Sequence, residues 1–430
     1  MILRSAILLV LLAAIGFQLD REQRAGRFQQ ADDLFLDFLL ANVRDRFVVD
    51  ESKRSDQVVL VRMREEEKAE YGAWPPPPID WQMVLKGLVP FEPEVVVIAT
   101  PLTWGQPPPE FVSQVGQALL PFTSVVLAVE GREGKDEKDP KASASMKEMF
   151  PSITRVQGDA ARVPAIAEIS AMPDEPIRRQ MALGLTVGDL GSMLPAPAAA
   201  STAAQSDAVE LPVVFRHGGA IAPSLALQAL THYTRTPYAQ QRLLIGPGAG
   251  AHLGGGLYLP LAEDGRLVLK SNVTVPSVNA LNFMTGTLAD GLSAEDKATL
   301  GKNKIIVIGI DNDAAEPTIP RMQAQALAHA LSLPRVHAIG VTARWAICAA
   351  AALLGCLLLR YRGGKALRTG LIFIFGALVV SFLTFQSQLT WFPPTVPAAL
   401  LAASTLFAMV FGKKVGAAPS PVVKTAESAE

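Results

Sequence analysis

The order of apolar and polar positions divides the chain into two kinds of segment. Through the middle, short apolar runs alternate with stretches of helical period. Strands are expected at 57–63, 94–100, 124–129, 211–216 and 304–310, and helices at 79–89, 110–120, 224–233 and 321–331. Such alternation predicts an α/β domain, a sheet covered by helices on both faces. At the ends lie longer apolar runs, 5–19 near the N-terminus and then 345–359, 370–385 and 396–411. Each is near the length of about 20 residues that spans a bilayer once interfacial residues are included. The first reads as an uncleaved anchor, with a signal peptide as the alternative. Ala14-Ile15-Gly16 makes a poor cleavage site, and the polar helix-like stretch after it continues without a break.

One polar interruption sets a helix start. In "GAWPPPPIDW", Gly72 to Trp81, each proline fixes its own φ and keeps the residue before it out of the helical region. Trp74 to Pro78 should therefore run extended, near polyproline II, and deliver the chain into a helix whose apolar positions are Ile79, Trp81, Val84, Leu85, Leu88 and Val89. With "QVVLVRM" before it and "EVVVIAT" after it, the segment forms a strand–helix–strand unit.

Composition adds a membrane. The chain of 430 residues is 50% hydrophobic and only 18% charged, with a positive mean hydropathy, which is more apolar than an ordinary soluble domain. A net charge of -1 supplies no basic field for nucleic acid. Five His and two Cys, with no paired metal-ligand spacing, argue against a metal centre. Cys348 and Cys356 share one apolar run and read as packing residues of a membrane helix. Arg360, Arg362, Lys365 and Arg368 fill the loop after the first C-terminal span without an acidic residue, whereas "QSQLTWFPP" after the second is uncharged and carries Trp391. The positive loop belongs in the cytoplasm; Arg4, Lys413 and Lys414 put both termini there too. Arg344, at the outer edge, should snorkel to the headgroups. The expected division is an anchor at 1–19, an extracytoplasmic domain at 20–342, a three-helix membrane bundle at 343–412 and a short disordered cytoplasmic tail at 413–430. "DDLFLDFLLANVRDRF" opens the outside domain as a helix with the apolar face Leu34, Phe35, Phe38, Leu39 and Val43. "EGREGKDEKDPKASAS" and "LPAPAAASTAAQSDA" read as long surface loops.

Four local patterns carry a resemblance. "YGAWPPPPIDWQMVLKGLVPFEPEVVVIA", "LPVVFRHGGAIAPSLALQAL", "YLPLAEDGRLVLKSN" and "LGKNKIIVIGID" occur in the order found in the CHASE2 family of bacterial extracytoplasmic sensor domains. That family is similar also in its N-terminal anchor and three closing membrane helices. The resemblance implies an inner-membrane protein whose outside domain senses a signal. Members commonly carry acidic residues after the first strand, where this chain has Arg62, Met63, Arg64 and Glu65, and an aspartate where it has Ala99-Thr100, so the acidic pocket is partly lost. Relatives usually continue into an output domain, whereas here only "GKKVGAAPSPVVKTAESAE" follows the last span. The expectation is a sensor without an output domain of its own.

The remaining motifs favour binding over catalysis. "IGPGAGAHLGGG" lacks the following helix that a phosphate-binding loop requires and reads as a flexible loop with an exposed His252, followed by a hairpin turning at Asp264-Gly265. Asp311, Asp313 and Glu316 follow a buried strand without the spacing of a calcium loop and read as a solvated turn. "REEEKAEYG" reads as a solvated face. No GxSxG elbow and no nucleophile–base–orienter set can be assembled, so no enzyme and no cofactor are expected. Strand ends converge on one edge of an α/β sheet, and the ligand-binding set expected there is Arg62, Glu65, Trp74, Trp104 and Asp311, suited to a small polar organic molecule. Expected partners are the membrane, that ligand, a cytoplasmic or membrane signalling protein and a second copy of the chain. A structural or assembly protein of the envelope with a degenerate sensor domain is the alternative.

Overall fold

In the central strand, Ile305–Asp311, the residues Ile305 to Ile308 are wholly shielded from solvent. A strand so apolar can sit only where helices cover both faces. In this computed structural model, which describes residues 2–49, 56–105, 108–134, 149–150, 153–178, 181–187, 208–217, 219–270, 274–284, 292–312 and 318–412, it pairs in parallel with β1 (Val58–Arg64) on one side and β2 (Val95–Ile98) on the other. Ser277–Asn279 extends the sheet beyond β1, and β3 (Val125–Glu133) extends it beyond β2, both in parallel. Past β3 lie Ala182–Val187, parallel, and Ile166–Ala171, antiparallel to the strand's far end. The observed class is mixed α/β, as the alternation predicts.

The helices begin where local chemistry starts them. Pro78 is the first residue of the helix Pro78–Leu88, where its missing N–H would have had no partner, and Pro77 before it is extended at φ -69 and ψ 167. The lead-in differs from the expected extended run of Trp74 to Pro78 in two respects: the Trp74–Pro75 peptide is cis, and Pro78 already belongs to the helix. The helix buries Trp81, Val84, Leu85 and Leu88. Ser224 caps Leu225–Thr234, its hydroxyl accepting from the Leu227 N–H at 3.2 Å. That helix packs on β2, β3 and Ala182–Val187, and the helix Ile319–Ser332 packs on β1 and the central strand. Gly309 makes this last crossing possible, because a Cβ there would lie 2.4 Å from Pro320 Cγ and 3.2 Å from Thr100 Oγ1.

Three expectations need correction. The glycine-rich "IGPGAGAHLGGG" is no loose loop: Arg242–Ile245, Gly250–His252 and Tyr258–Pro260 form an antiparallel meander that Val156–Gly158 joins in parallel. Its glycines make the turns, with Gly246 at φ 105 and Gly248 at φ 77, and Gly250 leaves room for the Tyr258 ring, which a Cβ would meet at 2.4 Å. His252 is half-buried against Tyr258, ring centroids 5.0 Å apart, and lies 3.2 Å from the Arg242 guanidinium. The Asp264-Gly265 turn forms, closed by Ala262 N–H to Arg266 O at 2.7 Å. Its following strand, Arg266–Lys270, pairs with Ala208–Pro212 rather than folding back as a hairpin. The single strand expected at 211–216 is accordingly two, Ala208–Pro212 and Val214–His217, the second paired with Ala220–Pro223.

The chain divides into two units, Asp45–Arg335 just described and a helical unit of Met1–Arg44 with Val336–Glu430. The helical unit contains Ile2–Arg24, Gln29–Asn42, Val341–Leu358, Gly364–Gln388 and Thr395–Phe411. Among the described residues, Val341–Leu358 with 18 residues and Gly364–Gln388 with 25 are long and apolar enough to cross a membrane. Thr395–Phe411, with 17, is shorter. Pro393 and Pro394 precede it and block extension toward the N-terminus. In Ile2–Arg24 the apolar stretch gives way to Asp20, Arg21, Glu22 and Arg24. Thus two of the four expected spans meet that criterion.

Small residues let these helices approach closely: a Cβ on Gly355 would lie 2.1 Å from Ser404 Oγ, and one on Gly370 would lie 2.1 Å from Thr405 Oγ1. Leu8, Leu12, Leu358, Leu400 and Leu401 fill the interior. Arg344 does not reach outward as expected but bonds to the buried Asp20, which also takes Arg24 at 2.7 Å. The helix Gln29–Asn42 belongs to this unit. It buries Leu39 and Leu40, with Val43 at its end, while Leu34 and Phe38 of the expected apolar face stand exposed. Of the sequence's expected loops, the tail 413–430 and most of the charged and Ala/Pro/Ser-rich stretches lie outside the described residues.

If the crossing at Gly309 fixes the sheet to its covering helix, Gly309→Ala should destabilise the protein by about 1–3 kcal/mol through overpacking against the rigid Pro320 ring. A thermal unfolding midpoint equal to that of the unaltered chain would contradict this.

Candidate functional site

At the carboxyl edge of the sheet the alternation of side chains sorts the expected site residues onto two faces. Gly309 faces Pro320 of the covering helix, so Asp311, two positions on, shares that face and Ile310 takes the other. Arg62 is paired in register with Gly309. Because Gly309 has no side chain, Arg62 can lie across it toward Asp311, and its Nε donates to Oδ2 at 2.5 Å. Arg321 donates from the opposite side to Oδ1 at 3.2 Å and Oδ2 at 3.1 Å, and also to the Asn312 carbonyl at 2.6 Å. Thr318 donates its hydroxyl to Oδ1. Asp311 is only 1% exposed. It is the last residue of a strand, neutralised inside the fold, not a residue of a solvated turn; Asp313 and Glu316 lie outside the described residues.

On the other face a cleft of about 230 Å³ opens between Pro75, Pro76, Trp81, Leu102, Trp104 and Glu130, with Ile310 and Thr100 at its base. Trp104 is held there by its indole N–H, which donates to the Pro76 carbonyl at 2.9 Å. Thr100 Oγ1 accepts from the Ile310 N–H at 3.0 Å and ties the β2 end to the central strand. Of the five residues expected to line one pocket, only Trp104 lines this cleft. Arg62 and Asp311 pair on the opposite face. Trp74 packs edge-on against Tyr71, ring centroids 5.5 Å apart, and Glu65 is exposed at the start of the 3-10 helix Glu65–Glu70. Within that helix Glu67 accepts from Arg64 at 3.0 Å and from Asn279 at 3.0 and 2.9 Å, so this part of the acidic run is tied to the sheet edge.

Pattern reasoning missed Trp81 and Glu130 as cleft residues. Trp81 follows the apolar period of its helix and therefore read as core. Glu130 lies on β3, whose carboxyl end points to the same edge as the other parallel strands; that common direction was the available signal.

Burial shapes the polar groups beside the cleft. Asp80 is 5% exposed, and its Oδ2 has no hydrogen-bond partner. Desolvation raises its pKa, opposed by a hydrogen bond from the Gly72 backbone. Burial also pushes the Tyr71 hydroxyl up, and the charges of Glu67 and Asp80 add to this. Elsewhere, Ser124 Oγ lies 2.6 Å from His232 Nδ1, a pair that the sequence did not suggest. Its other ring nitrogen faces Gln228 at 3.3 Å rather than a carboxylate, and desolvation lowers the imidazole pKa. Ser124 precedes β3, so the pair lies at the amino end of the strands, away from the cleft. Among the described residues no group of three or more His, Cys, Asp or Glu is placed to hold a metal.

Two outcomes follow. Asp311→Ala leaves two guanidiniums without their buried carboxylate and should cost about 3–5 kcal/mol of stability, measurable by denaturant unfolding; a loss within error would show that the ion cluster is solvated. For Asp80, a folded-state pKa above the ordinary value means that the folded protein holds the proton more tightly. Stability therefore falls as pH rises from the ordinary carboxylate range through the raised value, then levels. Asp80→Asn should abolish that fall and raise the unfolding midpoint at neutral pH, and parallel pH profiles for the two proteins would contradict it.

A family model described as the CHASE2 domain matches residues 6–360. No curated protein and no solved structure matches the chain. The match takes in the strand–proline–helix unit, the central strand and the cleft between them, and it covers most of the sequence. The chain belongs to the CHASE2 family, a family of sensor domains.

Proposed function

We propose that the protein is a membrane-anchored sensor whose Asp45–Arg335 unit lies outside the cytoplasmic membrane, binds a small molecule in the Trp104 cleft and passes the signal to a separate partner. The observation that carries this reading is the cleft itself. It stands at the carboxyl edge of a mostly parallel sheet, where α/β folds bind ligands, and it is walled by aromatic and proline side chains with few polar groups. No catalytic role is assigned to it: among the described residues that line it, no set of nucleophile, base and orienting group is formed.

Support for anchoring comes from the outer surface of the helical unit. Leu371, Ile372 and Phe375 on Gly364–Gln388, Leu353 on Val341–Leu358, and Leu406 and Val410 on Thr395–Phe411 are all exposed, which is costly in water and natural in lipid. We infer that Ile2–Arg24 and Thr395–Phe411 join the two longer helices as spans, shortened ends being met by local thinning of the bilayer. In this reading the exposed Arg360 and Arg362 of the connecting loop, with Lys365 and Arg368 of the first turns of Gly364–Gln388, face the cytoplasm and offer a docking point for a signalling partner. An assembly role is the second reading. It is favoured by the Asp311 cluster, whose members bond to one another where an open polar pocket had been expected.

Both parts can be tested on the full chain. Single-cysteine labelling in a Cys348→Ala, Cys356→Ala background should find position 362 protected in intact cells and position 263 labelled by an impermeant reagent; the reverse pattern would sink the orientation. In a screen of small metabolites by thermal shift, compounds that stabilise the protein should lose their effect on Trp104→Ala. Stabilisation that persists in that variant would move the binding site elsewhere.

A further inference from the structure

The chemistry of the cleft walls is one-sided. Among the described residues Glu130 is the only ionisable side chain that lines it. Its carboxylate accepts from the Ser170 hydroxyl at 3.0 Å, and no ion pair to it forms among the described residues. Its neighbours on the same ribbon differ: Glu168 is paired with Arg132 at 2.7 Å, and Glu133 faces Arg266 at 3.7 Å. A half-buried carboxylate without a cation of its own, at the mouth of a mostly apolar cleft, creates a site of negative potential.

The other walls reinforce that sign. Trp81 and Trp104 contribute indole rings, whose faces carry negative quadrupole density. The one strong donor that Trp104 has, its N–H, is consumed by the Pro76 carbonyl. Pro75, Pro76 and Pro101 line the wall without backbone N–H groups, so that side offers no donors to an anion. An anionic ligand would face the Glu130 carboxylate with only the Thr100 and Thr103 hydroxyls as side-chain donors, and a bare metal ion would find a single carboxylate. A small organic cation with apolar substituents suits the carboxylate, the indole and the proline wall together.

We propose that the cleft binds a small alkylated ammonium ion, its charge between Glu130 and the indole rings and its alkyl groups against Pro75, Pro76 and Leu102. This deepens the sensor reading above and rests on it. Trp104 and Glu130 would then set specificity, the first by shape and the second by charge.

The test uses the full chain in nanodiscs, with choline as the probe cation and dimethylbutanol, its uncharged carbon isostere, as the control, both read by intrinsic tryptophan fluorescence. Choline should bind at millimolar concentration or better, and dimethylbutanol at least about tenfold more weakly. Glu130→Gln should weaken choline by about tenfold or more, leaving dimethylbutanol and the unfolding midpoint unchanged. Equal binding of the two probes, or choline binding insensitive to Glu130→Gln, would overturn the cation assignment while leaving the cleft as a ligand site. No choline binding at millimolar concentration would also overturn it; the sensor reading then survives only if another compound class stabilises the unaltered chain and not Trp104→Ala. If no compound does so, both fall together.

Discussion

Asp311 ends the central strand with a carboxylate almost wholly removed from water, and the arrangement around it constrains the rest of the sheet edge. Such a group is tolerable only when its oxygens are filled by hydrogen-bond donors and its charge is matched by a cation. Arg62 supplies one from the neighbouring strand, and Arg321 and Thr318 supply the others from the first turns of the covering helix and its cap. The cluster thereby ties β1, the central strand and the helix Ile319–Ser332 at one point. Gly309, just before it, lets helix and strand approach to the distance at which those bonds form. Because successive side chains of a strand point to opposite faces, committing Asp311 to the helix side leaves Ile310 to floor the cleft on the other.

That division leaves room for a pocket on the face away from the buried ion cluster. Charge is concentrated and neutralised on one face, and the other face keeps an aromatic cleft with a single carboxylate. Its walls are held by prolines on one side, the Trp104 indole bonded to the Pro76 carbonyl, and the Thr100 hydroxyl clasping the next strand. Preorganised walls of this kind lose little entropy when a ligand arrives.

Much of this was legible in the sequence. Continuous apolar runs announced β1, β2, β3 and the central strand because parallel strands buried on both faces need no polar positions, and the proline run put the helix start within one residue, at Ile79 where Pro78 begins it. Less legible was anything decided by partner choice at a distance. Arg266–Lys270 and Ala208–Pro212 pair across the sequence, so the Asp264-Gly265 turn suggested a hairpin that does not form. The five candidate site residues were chosen for lying past strand ends, but which face each occupies depends on register, and register separated Arg62 and Asp311 from Trp104. Asp20 was unforeseen as Arg344's partner because the two lie at opposite ends of the chain. Glu130 stands one residue past the expected end of its strand at 129, on a strand that runs in the same direction as the others.

If this sensor domain binds a ligand as proposed, the cleft beside Trp104 holds it and the Asp311 cluster does not. The most direct measurement is a high-resolution density map of the full-length protein purified from its native host without added ligand. The account predicts a bound molecule between the indole of Trp104 and the carboxylate of Glu130, with the Arg62–Asp311–Arg321 cluster intact on the far face. Density for a bound molecule among Arg62, Asp311 and Arg321, with the cleft closed by protein side chains, would contradict it.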